Sequence, residues 1–141
     1  MGLWDSYKMR VRRRRLLLRA ARKSFELTSR QNNTGVIRPQ DILLVATIYN
    51  EAIRLPYFLK YYRELGVDHF LFVDNNSSDG LMHLLGSEQD VSVWHTESSY
   101  KSARFGVDWM NALMRRYCHN HWTLVVDPDE PWTEDGESVE A

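Results

Sequence analysis

The sequence predicts an α/β fold: a β-α-β-α-β-α-β, mostly parallel sheet with helices on both faces, preceded by a basic N-terminal helix. Three observations carry this. Apolar runs of strand length alternate with stretches of helical periodicity from residue 41 onward. The connections between them are short, as parallel crossovers require. Most of the predicted strands run straight into polar, acidic clusters, the place where open parallel sheets bind ligands.

Taken in order, Ile42 to Ile48 is an unbroken apolar run and reads as a buried strand, followed by a helix over Leu55 to Leu65 that Gly66 closes. His69 to Val73 is a second strand. Asp79 to Leu85 reads as a short helix capped by Ser77 or Ser78, and Val91 to Trp94 as a third strand. A longer helix is expected over Tyr100 to Tyr117, and Trp122 to Val126 supplies the fourth strand. The layout is Rossmann-like.

Length and composition fit one soluble domain: 141 residues, 43% hydrophobic and 26% charged. A formal net charge of −1 hides an asymmetry. Residues 1–40 hold 11 Lys/Arg against 2 Asp/Glu, whereas residues 41–141 hold 7 against 17. The organisation expected is a basic amphipathic helix and linker (1–40), an acidic folded domain (41–130) and an acidic, unstructured tail (131–141).

Within the basic segment, residues 8–28 carry Lys8, Arg10, Arg12 to Arg15, Arg19, Arg22 and Lys23, interleaved with Val11, Leu17, Leu18, Ala21 and Phe25. Such a helix suits an anionic membrane surface, with the leucines and Trp4 partly buried in it. It equally suits packing on its own domain or on another subunit. No zinc knuckle, RNP-type strand or recognition-helix pattern accompanies the arginines, so nucleic acid is not the expected partner. A lone Cys118, no signal-peptide core and no apolar stretch of ~18 residues point to the cytoplasm, with peripheral attachment to the inner face of a membrane as the variant.

Three clusters carry the chemistry. The first, Thr47-Ile48-Tyr49-Asn50-Glu51, brings a hydroxyl, an aromatic ring and a carboxylate off a strand together, and Tyr49 offers a face on which a base can stack. Helix capping by Asn50 or Glu51 explains part of it without any ligand. The second, Asp74-Asn75-Asn76-Ser77-Ser78-Asp79-Gly80, is mostly turn-forming sequence. Asp74 stands apart, because an acceptor-only carboxylate at a strand end can take a hydrogen bond from a uracil imide or a ribose hydroxyl. The third, Asp127-Pro128-Asp129-Glu130, follows the run Leu124-Val125-Val126. Its two hard carboxylates, Asp127 and Asp129, suit Mg²⁺ or Mn²⁺, which prefer oxygen ligands and leave positions for diphosphate oxygens.

In this order and spacing the clusters resemble a GT-A-fold glycosyltransferase of family 2, nearest the branch with an Asp-x-Asp-Glu motif. The resemblance spans residues 41–130. It is carried by Ile48 to Glu51, by Leu65-Gly66-Val67-Asp68-His69-Phe70 leading into Val73 to Gly80, and by Trp122 to Glu130. It implies transfer of a sugar from a nucleoside-diphosphate donor, usually UDP-linked, to a glycan, lipid or protein acceptor, with inversion at the anomeric carbon. Thr47, Tyr49, Glu51 and Asp74 would surround base and ribose, and Asp127 and Asp129 would serve ribose, diphosphate and metal. Lys101 and Arg104 are second-tier candidates for the diphosphate; as helix charges they also read as simply solvated.

The sequence departs from that family after Glu130. Only 11 residues follow, and Pro131-Trp132 stands where an apolar strand would continue. The acceptor half and the base that activates the acceptor hydroxyl are therefore expected to be missing from this chain, and no base is assigned. A nucleotidyltransferase, the alternative enzyme, would need a Gly- and Lys/Arg-rich loop where Asn50-Glu51-Ala52-Ile53 stands. A noncatalytic scaffold that sits on membranes or partners through its basic helix is the alternative from another class. Cys118-His119-Asn120-His121 has no partner cluster for zinc. His69, His83 and His95 are isolated, and Trp94, Trp109 and Trp122 are expected to pack in the core.

Overall fold

The computed structural model describes residues 2–104 and 106–128. Asp129, Glu130 and the tail 131–141 lie outside the described residues. The chain runs α1 (Leu3–Ser24), β1 (Thr28–Gln31), a 3-10 turn (Thr34–Val36), β2 (Leu43–Ile48), α2 (Leu55–Leu65), β3 (His69–Asp74), α3 (Leu81–Leu85), β4 (Val91–His95), α4 (Val107–Tyr117) and β5 (Thr123–Val125). The architecture is α/β of the Rossmann-like class, around a mixed five-stranded sheet of order β1-β4-β3-β2-β5. β2 pairs in parallel with β3 and with β5, and β3 in parallel with β4, while β1 runs antiparallel to β4.

The apolar runs become strands because both of their faces are covered. β3 is buried at every position, and β2 at all but Thr47. Alternate residues then feed separate cores. Leu44, Ala46, Ile48, Phe70 and Phe72 meet Leu55, Phe58, Leu59 and Tyr62 of α2 and Leu81 and Leu85 of α3. Leu43, Val45, Leu71, Val73 and Trp94 meet Trp109 and Leu113 of α4. Each such large side chain contributes roughly 1.5–3 kcal/mol through burial.

Five expectations need correction. Residues 29–40 are not a plain linker: β1 joins the sheet edge. Gln31 Nε2 donates to the carbonyls of Leu85, Glu88 and Val91, and the Asn33 amide donates to Ser92 Oγ. Polar side chains that look solvated in the sequence are thus used to satisfy loop carbonyls.

Neither Ser77 nor Ser78 caps α3. Asp79 and Ser77 are drawn to the neighbouring loop, where they accept hydrogen bonds from the amides of Ala52 and Asn50, and Gly80 at φ 74° starts the helix.

α4 begins at Val107 instead of Tyr100, because left-handed backbone at Arg104 (φ 50°) and Gly106 (φ 83°) interrupts the helix. Trp122, expected in the core, is 85% exposed beside the edge strand β5. Trp94 and Trp109 are buried as expected.

α1 begins at Leu3, ahead of the expected start, and packs on α4. Arg19 bonds Asp108 Oδ2 at 2.6 Å and the carbonyl of Ser102 at 2.7 Å. Just past α1, Glu26 accepts a hydrogen bond from Trp109 Nε1 at 2.9 Å. Among the described residues no helix is long and apolar enough to cross a membrane.

Candidate functional site at the carboxyl ends of the strands

The chain leaves β2 toward β3 and β4 on one side, then returns to lay β5 on the other. The strand order therefore reverses between β2 and β5, and ligands of open α/β sheets bind at such a switch point beyond the carboxyl ends. Asp127 lies two residues past the Val45↔Val125 pairing, and the Val126 amide still bonds the Val45 carbonyl at 3.2 Å. Thr47 lies two residues past the same pairing on β2. The topology thus brings Thr47 and Asp127 to adjoining strand ends. Asp74 closes the next strand, opposite Ile48 on one side and His95 on the other.

Around Thr47 the packing is tight. Its Oγ1 is enclosed and has no hydrogen-bond partner among the described residues. The bare α-carbon of Gly106 lies so close that a Cβ there would sit 2.5 Å from this oxygen. Gly106 is thus required twice, for its positive φ and for its lack of a side chain. Tyr49, next along, is 57% exposed and presents its ring at the rim.

Asp74 is buried. Its Oδ1 accepts from the Ser77 amide at 3.0 Å, and its Oδ2 lies 3.9 Å from His95 Nδ1. That His95 nitrogen is buried without a hydrogen bond among the described residues, and the other ring nitrogen lies 3.8 Å from Glu97.

The loops after β2 and β3 interlock. Asn50 Oδ1 accepts from the Ser78 amide at 2.8 Å, and Asn75 Nδ2 donates to the carbonyls of Thr96 and Ser98. Most of the second cluster is therefore scaffold, and Asp74 is the carboxylate it frames. Glu51 is buried with Arg54 Nε at 3.9 Å, and its carbonyl starts the turn into α2.

The second-tier cations diverge. Lys101 is exposed. Arg104 is held by Asp108, with Nε and Nη2 at 2.9 and 2.7 Å from Oδ1. Asp108 is fully buried, and burial alone would push its pKa up. The hydrogen bonds from Arg104 and Arg19 outweigh that, holding it below its ordinary value. Arg104 thereby serves the joint between α1 and α4.

For a divalent cation the described half of the Asp-x-Asp offers Asp127, an exposed side chain whose hard carboxylate oxygens match what Mg²⁺ or Mn²⁺ prefers. Among the described residues no group of three or more metal-ligating side chains forms. Donors are thus consistent in kind with such an ion, and the second carboxylate, Asp129, lies outside the described residues. The Cys118 segment shows no such role: Cys118 is buried, with its thiol pKa pushed up by burial, and His121 Nδ1 is bonded to the Asp41 carbonyl at 2.8 Å.

The sequence reading set His95 aside as isolated, took Arg19 as one charge of the basic helix and did not single out Gly106. The rule that singled out Asp74, a polar residue ending a strand, would also have found His95. Gly106 and Arg19 act through contacts distant in sequence, and nothing local marks them. In comparisons with protein-family models, curated proteins and solved structures, the chain matches none.

Proposed function

We propose that this chain is the nucleotide-sugar-binding half of a metal-dependent, family 2-like glycosyltransferase with a GT-A arrangement. One observation carries the reading: the reversal of strand order between β2 and β5 sets Thr47 beside Asp127, with Asp74 one strand further on. A base-stacking ring, a carboxylate for imide or ribose, and a metal-ligating carboxylate then stand at the carboxyl ends of three adjacent strands, the three kinds of group that a UDP-sugar's base, ribose and metal-bound diphosphate call for.

Each residue has a stated task. The ring of Tyr49 stacks on the base, Asp74 accepts from the imide or ribose, and Thr47 supplies a hydroxyl between them. Glu51 contributes negative charge from within the turn. Asp127, with Asp129, would hold Mn²⁺ or Mg²⁺, whose charge would offset that of the leaving diphosphate. The acidic rim itself argues for a cation, because Asp74, Glu97 and Asp127 would repel a bare diphosphate. The acceptor is a glycan, lipid or protein.

Titration calorimetry of UDP and UDP-sugars into the purified chain, with and without Mn²⁺, tests the reading. Manganese-dependent binding that falls at least about tenfold in Asp127→Ala/Asp129→Ala is expected, a loss of about 1.4 kcal/mol. A folded chain that binds no nucleotide with any metal would overturn it.

A further inference from the structure

The N-terminal helix is fastened to the domain yet keeps a long face uncovered. Its attachment runs through Arg19 to Asp108 and, just past the helix end, Glu26 to Trp109. At about 100° per residue, Trp4, Tyr7, Val11 and Leu18 fall on one stripe of the cylinder. Trp4 and Leu18 are each 66% exposed, and Phe25, seven residues beyond Leu18, is 90% exposed. Trp4 and Tyr7 stack at 5.8 Å, with Lys8 Nζ 5.5 Å from the Trp4 ring.

Basic side chains border this stripe. By the same helical geometry Arg10 and Arg14 lie along one flank and Lys8 and Arg15 along the other, and all four are exposed. Asp5 is the sole acidic residue of α1.

We propose that this face of α1 docks on an anionic lipid bilayer. An apolar stripe with interfacial aromatics, flanked by arginines whose stems can lie along the surface while their heads reach phosphates, matches both components of such a surface. A nucleic acid would satisfy the arginines but leave Tyr7, Leu18 and Phe25 in water. The helix packs on α4, and Arg19 also grips the Ser102 carbonyl in the loop after β4. The docking itself stands independently of the donor reading.

The test is co-sedimentation of the full chain with phosphatidylcholine vesicles, with and without phosphatidylserine, at low and high salt. Binding should require phosphatidylserine and weaken with salt. Arg14→Gln/Arg15→Gln should weaken it by about 25-fold, at roughly fivefold per charge. Leu18→Ser/Phe25→Ser should also weaken it on the anionic vesicles. The circular dichroism of both variants should match that of the parent, since all four side chains are exposed. Absence of binding to anionic vesicles, or binding indifferent to phosphatidylserine, overturns the proposal. So does retention of a short RNA duplex with no retention of vesicles, which would make the arginines a nucleic-acid surface.

Discussion

Arg19 on α1 and Asp108 on α4 form a hydrogen-bonded ion pair at 2.6 Å across 89 residues of sequence, and Arg104 closes on the same carboxylate from the other side. Asp108 is fully buried while both guanidinium groups remain partly exposed. Removing the carboxylate therefore leaves cations that can turn to solvent, and the loss should sit below the usual range for a broken buried pair. Asp108→Asn should cost about 2 kcal/mol in urea unfolding, and Arg19→Ala about 1 kcal/mol. The folded-state pKa of Asp108 lies below 3.8, so its stabilisation is complete above that value and is lost as pH falls through the folded value. Stability in acid should consequently fall less steeply in Asp108→Asn than in the parent. Equal slopes would assign the acid sensitivity elsewhere.

His69 should produce a second pH dependence, at higher pH. It is buried at the start of β3, its Nε2 shares a hydrogen bond with Ser92 Oγ at 2.9 Å, and burial lowers its pKa from 6.5 against the opposing pull of Asp90 and Asp41. The folded chain keeps it neutral while the unfolded chain takes up a proton. Stability is full above pH 6.5 and declines below it toward the folded value, by at most about 1.4 kcal/mol per pH unit. The difference in unfolding free energy between the parent and His69→Gln should shrink as pH drops from about 7 to 5. A constant difference would show that His69 does not titrate on unfolding.

Gly106→Ala should destabilise the fold by roughly 2–4 kcal/mol, combining left-handed backbone with a forced shift of Thr47. The clash is with a side chain of the proposed site, so UDP affinity should fall in whatever fraction remains folded. Gly35→Ala, where an added Cβ meets nothing within 4 Å, is the control and should stay within about 0.5 kcal/mol of the parent. Thermal unfolding of the pair decides it: similar midpoints would mean that the loop before α4 gives way easily.

Local sequence was a good guide where one face of one element decides the outcome. The α2 bounds follow from the spacing of Leu55, Phe58, Leu59 and Tyr62 and from Gly66, whose left-handed cap returns the Val67 amide to the Tyr62 carbonyl. β2 and β3 follow from unbroken apolar runs. What was not legible depends on partners far along the chain. β1 exists because Thr28–Gln31 finds the free edge of β4, and its polar residues gave no period to detect. The start of α4 is set by φ at Arg104 and Gly106, against a stretch that reads as continuous helix. In the site, Thr47, Asp74 and Asp127 were legible as strand-end residues. That Arg104 would be held by Asp108 was not, because a cation near a helix start looks the same whether it faces a ligand or a buried carboxylate.

Thr47 offers the sharpest separation of stability from function. Its hydroxyl is enclosed without a partner among the described residues, an arrangement that lowers stability, whereas valine of similar volume would fill the space with no polar atom to satisfy. Thr47→Val should thus leave the fold unchanged or more stable, by up to about 1 kcal/mol. A hydroxyl kept at the switch point despite that cost is accounted for if it bonds the donor nucleotide. The same variant should then bind UDP about five- to tenfold more weakly in calorimetry, the worth of one ordinary hydrogen bond. A more stable protein with weakened UDP binding would place Thr47 in the donor site. A less stable one with unchanged binding would make it a packing residue beside Gly106, and the donor site would then have to be built from Tyr49, Asp74 and Asp127 without it.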